Sequence, residues 1–187
     1  ETLFPYTTLF RSLSVLLLMR FSFQLMVPYE AFDQDVEIKG QTVLQVVETA
    51  MGRFSEEYRD RAAAALSEEG IVDPDPNEWY QQQAWLNAFE KIADDLEPHV
   101  LDRLGEQFPS IAAWPTDIDS VPDALRSIDD AYQQNHRGGD IGSYQFTQTD
   151  DRVGDILCNN PYPCPFDRGL IRGVAKRYAP VDGFVFV

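Results

Sequence analysis

From Gly40 to Tyr132 the apolar residues of this chain recur at helical spacing, and from Ile141 onward they alternate. That change of period constrains the fold more than any other feature. Val43, Val47, Ala50 and Phe54 share one helical face, and Tyr58, Ala62, Ala65 and Leu66 share the next. Gly70 closes that second segment, and Asp73-Pro74-Asp75-Pro76 forms a turn that no helix can cross. Asp75 or Asn77 is placed to cap a third helix with Trp85, Phe89, Ile92 and Leu96 inward. Pro98 opens a fourth, carrying Leu101, Leu104 and Phe108, with Gly105 near its end. Ser120-Val121-Pro122-Asp123 is a complete helix start, with a hydroxyl to cap, a proline early and a carboxylate for the dipole. Val121, Leu125, Ile128 and Tyr132 then form the buried stripe.

Beyond His136-Arg137-Gly138-Gly139 the period becomes two. Residues 141–148 and 153–158 predict an antiparallel hairpin around a polar turn, with Tyr144 and Phe146 on one face. Residues 166–178 predict a helix with Leu170, Ile171, Val174 and Tyr178 inward. Residues 183–187 begin a strand apolar on both faces, hence a central one. Helices first and strands after predict an α+β fold: an N-terminal helical region, then a small antiparallel sheet with a packed helix, truncated at the C-terminal end.

The chain carries 31 acidic and 15 basic residues, for a formal net charge of −16. Lysine occurs only at Lys39, Lys91 and Lys176, and aspartate outnumbers glutamate. Hydrated carboxylates with few lysine stems suit a surface working in concentrated salt, where the Debye length falls to about 3 Å. The composition implies a halophilic archaeon of the salt-in type and a cytoplasmic protein. No basic stripe is present, which excludes nucleic acid as a partner, and the same charge excludes anionic membrane surfaces.

Residues 2–12 match, codon for codon, the translation of a common short-read sequencing adapter. The apolar run inside residues 13–25 is shorter than the roughly 20 residues that span a bilayer, and no small-residue cleavage site follows it. Residues 1–25 are therefore expected to be a spurious, unanchored extension. Met26 is the expected start, with residues 26–187 forming one α+β domain that is incomplete at its C-terminal end.

Cys158-Asn159-Asn160-Pro161-Tyr162-Pro163-Cys164 is the densest cluster of chemistry-bearing residues. Its thiols are spaced more widely than a zinc knuckle, and two thiolates do not complete a tetrahedral site; buried structural thiols are the simpler reading. Pro163-Cys164, followed by Gly169, by Gly173 on a helix and by the apolar segment from Phe184, resembles the C-terminal core of the 4-vinyl reductase domain, a small-molecule-binding module of signalling proteins. In zinc-bearing members a cysteine after a proline is the first ligand; Cys164 matches it, and the later ligands would fall beyond Val187. The resemblance thus implies zinc in the full-length protein, with Cys158 a second thiol nearby. The helical half (Ile38-Lys39-Gly40, Trp79-Tyr80, Leu104-Gly105) is similar in layout to haem-NO-binding domains, although their Tyr-x-Ser-x-Arg motif is absent.

His99 and His136 are the candidate axial ligands for a haem alternative. Read alone, His99 lies in the first turn of a helix, and His136 ends one, where its cation would suit the dipole. No Ser-His-Asp set, phosphate loop or His-x-x-x-His pair is present. The resemblance implies a ligand cavity between helices and sheet lined by Trp79, Tyr80, Trp85, Tyr132, Tyr144 and Phe146, which would enclose a small hydrophobic or aromatic molecule. The expected function is that of a non-enzymatic sensory or regulatory domain acting through a homodimer or a signalling partner. The alternatives are a haem or gas sensor, or a structural interaction protein without a ligand.

Overall fold

The computed structural model describes residues 16–22, 28–51, 56–94, 96–111, 114, 118–180 and 184–187. The fold is α+β; three strands stand before or among the helices that the periodicity puts first. Strand β1 (Leu16–Ser22) is followed by β2 (Glu37–Lys39) and α1 (Gly40–Leu44), which runs directly into a π-helical stretch, Gln45–Met51. Next come α2 (Glu56–Glu68), β3 (Trp79–Gln81), α3 (Gln82–Asp94), α4 (Pro98–Ile111) and α5 (Val121–Gln134). The two-residue strand β4 (His136–Arg137), the hairpin β5 (Ser143–Asp150) and β6 (Val153–Asn159), helix α6 (Cys164–Tyr178) and β7 (Phe184–Phe186) complete it.

The larger sheet has the order β5-β6-β1-β7. The antiparallel hairpin is as expected, with Tyr144 opposite Cys158, but β1 pairs parallel to both β6 and β7. Part of the segment read as an unanchored extension is therefore a strand inside the sheet. The backbone reason is plain: the far edge of β6 presents N–H and C=O groups that a further extended segment can pair, and Leu18–Ser22 does so. Residues 1–15, with the adapter-like run, and residues 23–27 lie outside the described residues. Strand β7, expected to be central, is at the edge of this sheet, and Phe186 is exposed.

A second, three-stranded antiparallel sheet has the order β3-β2-β4. Its strands are too short for a period to show. It also corrects the start of the third helix: Asp75 caps a turn instead, accepting from the Asn77 N–H at 2.8 Å, and residues 79–81 pair with β2 before α3 begins at Gln82. Helix α5 starts as its sequence dictates, with Ser120 Oγ accepting from the Asp123 N–H at 3.3 Å, a cap worth about 1 kcal/mol.

Helices α4 and α6 make the most extensive contact between elements among the described residues, and glycine makes it possible. A Cβ on Gly105 would collide with the Phe166 carbonyl oxygen, and one on Gly169 with that of Asp102. Gly105 thus serves packing in mid-helix and does not end one. The same contact carries the main interior ion pair: buried Asp102 accepts from Arg168 Nε at 2.7 Å and from Arg172 Nη1. Above α4 and α6 the apolar side chains divide into two clusters, one within the helical half and one between α5, α6 and the hairpin. Phe108 and Tyr162 pack against both.

Candidate functional site

At the junction of the two clusters lies an interior cavity of about 50 Å³. Its walls come from Thr42 and Val46 of the first helical stretch, Trp85 and Phe89 of α3, Ile128 and Tyr132 of α5, and Tyr144 of β5; Tyr162, Phe166 and Leu170 lie on the α6 side. A π-helical turn displaces side chains from their α-helical positions and is common near functional sites; here it carries Val46 to the cavity wall. The rings are packed as pairs of definite geometry. Trp85 stacks on Phe89 at 5.4 Å, Phe166 meets Phe89 edge-on at 5.5 Å, and Tyr132 meets Tyr144 edge-on at 5.3 Å. No Asp, Glu, Lys or Arg lines this cavity among the described residues.

The polar atoms gather at one pole. His136 is buried, and this desolvation lowers its pKa to about 4, against a smaller upward effect of the Tyr132 carbonyl. The ring is thus neutral, which corrects the expectation of a helix-capping cation. Its Nδ1 lies 2.9 Å from the Tyr132 carbonyl oxygen, so Nδ1 carries the proton and donates. Nε2 is then an acceptor, and the Tyr162 hydroxyl donates to it at 3.1 Å. The Gln82 amide lies near the Tyr132 and Tyr162 hydroxyls, and the Trp85 indole near that of Tyr162. Yet Trp85 Nε1 and both Gln82 amide atoms are buried and make no hydrogen bond. Burial is also the main cause that raises Tyr132, Tyr144 and Tyr162 above the usual phenol range, so all three hydroxyls stay protonated.

Behind this wall is a buried carboxyl, Asp167, in the first turn of α6. Its Oδ1 accepts from the Tyr144 hydroxyl at 2.6 Å and its Oδ2 from Asn160 Nδ2 at 3.1 Å. Burial raises its pKa to about 7, against the opposing pull of those two bonds. Asn160 Oδ1 in turn accepts the Tyr162 N–H at 2.8 Å. One network thus joins Asp167 to two residues of the cavity wall.

Of the six aromatic residues expected to line a cavity, Trp85, Tyr132 and Tyr144 do so. Trp79 instead lies under the Arg137 guanidinium at 4.4 Å, Tyr80 accepts the Asp75 N–H at 2.8 Å, and Phe146 sits under Arg126 at 5.4 Å. His99 is exposed on α4 and does not line the cavity, while both ring nitrogens of His136 are engaged in hydrogen bonds. Cys158 and Cys164 are half-buried free thiols, both raised mainly by desolvation and then by the Asp167 carboxylate. Among the described residues no group of three His, Cys, Asp or Glu side chains is placed to hold a metal ion.

Tyr162, Asp167 and Gln82 were not expected at the site. Tyr162 stands between two prolines inside the cluster singled out for its thiols, and that setting was its only signal. Compared with protein-family models, with curated proteins and with solved structures, the chain matches none. No helix among the described residues is long and apolar enough to cross a membrane.

Proposed function

We propose that this chain is a non-enzymatic, cytoplasmic small-molecule-binding domain with a regulatory role, in a protein adapted to concentrated salt. The observation that carries the reading is the interior cavity: aromatic walls, no ionic side chain, and a buried Trp85 N–H without a partner. Such a lining favours a neutral, largely apolar ligand. At about 50 Å³ the cavity is a third of the roughly 150 Å³ that admits benzene in an engineered protein. A ligand of a few heavy atoms fits as the walls stand; an aromatic one needs half-buried Phe108 and Trp114 to move outward.

The cavity lies where the two apolar clusters meet, so filling it alters how the helical half packs on the hairpin half. That is a population shift which a second copy or a signalling partner could read. The likeness to 4-vinyl reductase domains supports the same reading, and its zinc rests here on Cys164 alone. The haem alternative draws no support from His99 or His136. A purely structural role is the remaining alternative, and it predicts that the cavity takes up nothing.

Xenon under pressure and toluene, each added to the whole chain and followed by amide and indole NMR, test the proposal. Saturable shifts at Trp85, Ile128 and Leu170 are expected with at least one probe. No saturable shift with either would leave the structural role.

A further inference from the structure

Two aspartate side chains are buried among the described residues, and they are treated oppositely. Asp102 is held by Arg168 and Arg172. Asp167 accepts, among the described residues, from the neutral donors Tyr144 and Asn160. A carboxylate removed from water without a cation is costly to keep charged, and taking up a proton is the usual relief.

Protonation leaves a buried O–H in need of an acceptor, and the two groups bonded to the carboxyl supply one only by turning. The ionised group accepts from both neighbours as they stand. To pair a proton on Oδ1, the Tyr144 oxygen has to accept it, which releases the Tyr144 O–H to seek another acceptor. A proton on Oδ2 requires the Asn160 amide to turn its oxygen inward, which surrenders the acceptor of the Tyr162 N–H. Tyr144 and Tyr162 both line the cavity.

We infer that the cavity is proton-coupled, so that a proton on Asp167 tightens the binding of a neutral ligand and the ligand in turn draws that proton in. The inference rests on the cavity being the ligand site. Its direction follows from solvation: apolar atoms in the cavity exclude water from the Tyr144 side and make the neighbouring charge harder to sustain.

The groups that face Asp167 are few. On α6 itself these are Cys164 and Arg168, the latter bonded to Asp102 of α4. The hairpin contributes Cys158 and Tyr144, and the turn before α6 contributes Tyr162. Helix α5 contributes Tyr132 and Asp129, whose Oδ1 accepts the Tyr144 N–H at 2.7 Å, and β4 follows with His136. Burial holds the thiols and phenols protonated and keeps His136 neutral down to about pH 4, and it brings Asp167 to about 7.

Xenon has no proton to exchange, so any pH dependence of its binding belongs to the protein. Its affinity for the whole chain, read from NMR shifts under pressure, is expected to be roughly three- to tenfold higher at about pH 6 than at about pH 8.5, as a half to one unit of coupled pKa gives. Asp167→Asn should abolish the dependence. Tyr144→Phe, which removes a donor to the carboxylate, should move its midpoint to higher pH. Binding that is equally tight at both values, or a dependence that persists in Asp167→Asn, overturns the coupling but leaves the cavity reading. Absence of xenon binding at every pH overturns the coupling, and the same absence with toluene removes the cavity reading too.

Discussion

The Tyr144 hydroxyl donates to Asp167 Oδ1 at 2.6 Å where neither residue meets solvent, and this bond ties the sheet to the first turn of α6. It also supplies one of the two donors that the carboxyl has among the described residues. Tyr144→Phe removes that donor and leaves a buried acceptor half satisfied. The expected cost is about 1.5–3 kcal/mol, larger at pH 8 than at pH 5, because hydrogen bonds to charged groups are the stronger ones. Urea unfolding at the two pH values measures it, and equal losses would mean the carboxyl keeps one charge state across that range.

Two buried groups give opposite slopes of stability against pH. Asp167 is raised from 3.8 to about 7, so the folded chain binds the extra proton between those values and stability falls as pH rises through them. His136 is lowered from 6.5 to about 4, so the unfolded chain binds the extra proton there and stability rises with pH. Where the windows overlap the slopes cancel. Asp167→Asn should therefore unmask a rise in the urea midpoint from about pH 4 to about pH 6.5, with no fall beyond.

Gln82 is fully buried with neither amide atom bonded. Gln82→Met keeps the length of the side chain and removes both polar atoms, so it should stabilise the fold by about 1–2 kcal/mol. Chemical denaturation reads the sign directly. A loss of stability instead would show that the amide is engaged after all.

Gly169→Ala should lower stability by about 2–4 kcal/mol, because the new methyl group meets the Asp102 carbonyl and α4 cannot yield without disturbing the Asp102–Arg168–Arg172 pairs. Thermal denaturation against the parent chain measures it. An unchanged Tm would mean that the two helices have room to part.

With a net charge of −16, the chain should gain stability as potassium chloride is raised from about 0.1 M to about 1 M, over which the screening length falls from about 10 to about 3 Å. Unfolding midpoints that do not depend on salt would remove the halophilic reading of the composition.

The helices were legible because each turns one continuous apolar stripe inward; the Val121–Tyr132 stripe and the Ser120 cap survive in α5 as read. The hairpin was legible for the same reason at period two. The strands of the small sheet are too short to show a period, and β1 adjoins a run that reads as foreign sequence. Trp85, Tyr132 and Tyr144 line the cavity while Trp79, Tyr80 and Phe146 lie elsewhere, since aromatic stripes mark the interior without saying which part of it.

What the amino-acid sequence determined by itself was local: periods, caps, turns and the acidity of the surface, each set by residues near one another in the chain. The burial of His136 was decided only in three dimensions, as were the glycine contact of Gly105 and Gly169 and the meeting of Tyr144, Asn160 and Asp167. Those properties depend on which segments come together, and burial, more than residue type, decides whether an aspartate or a histidine carries its charge.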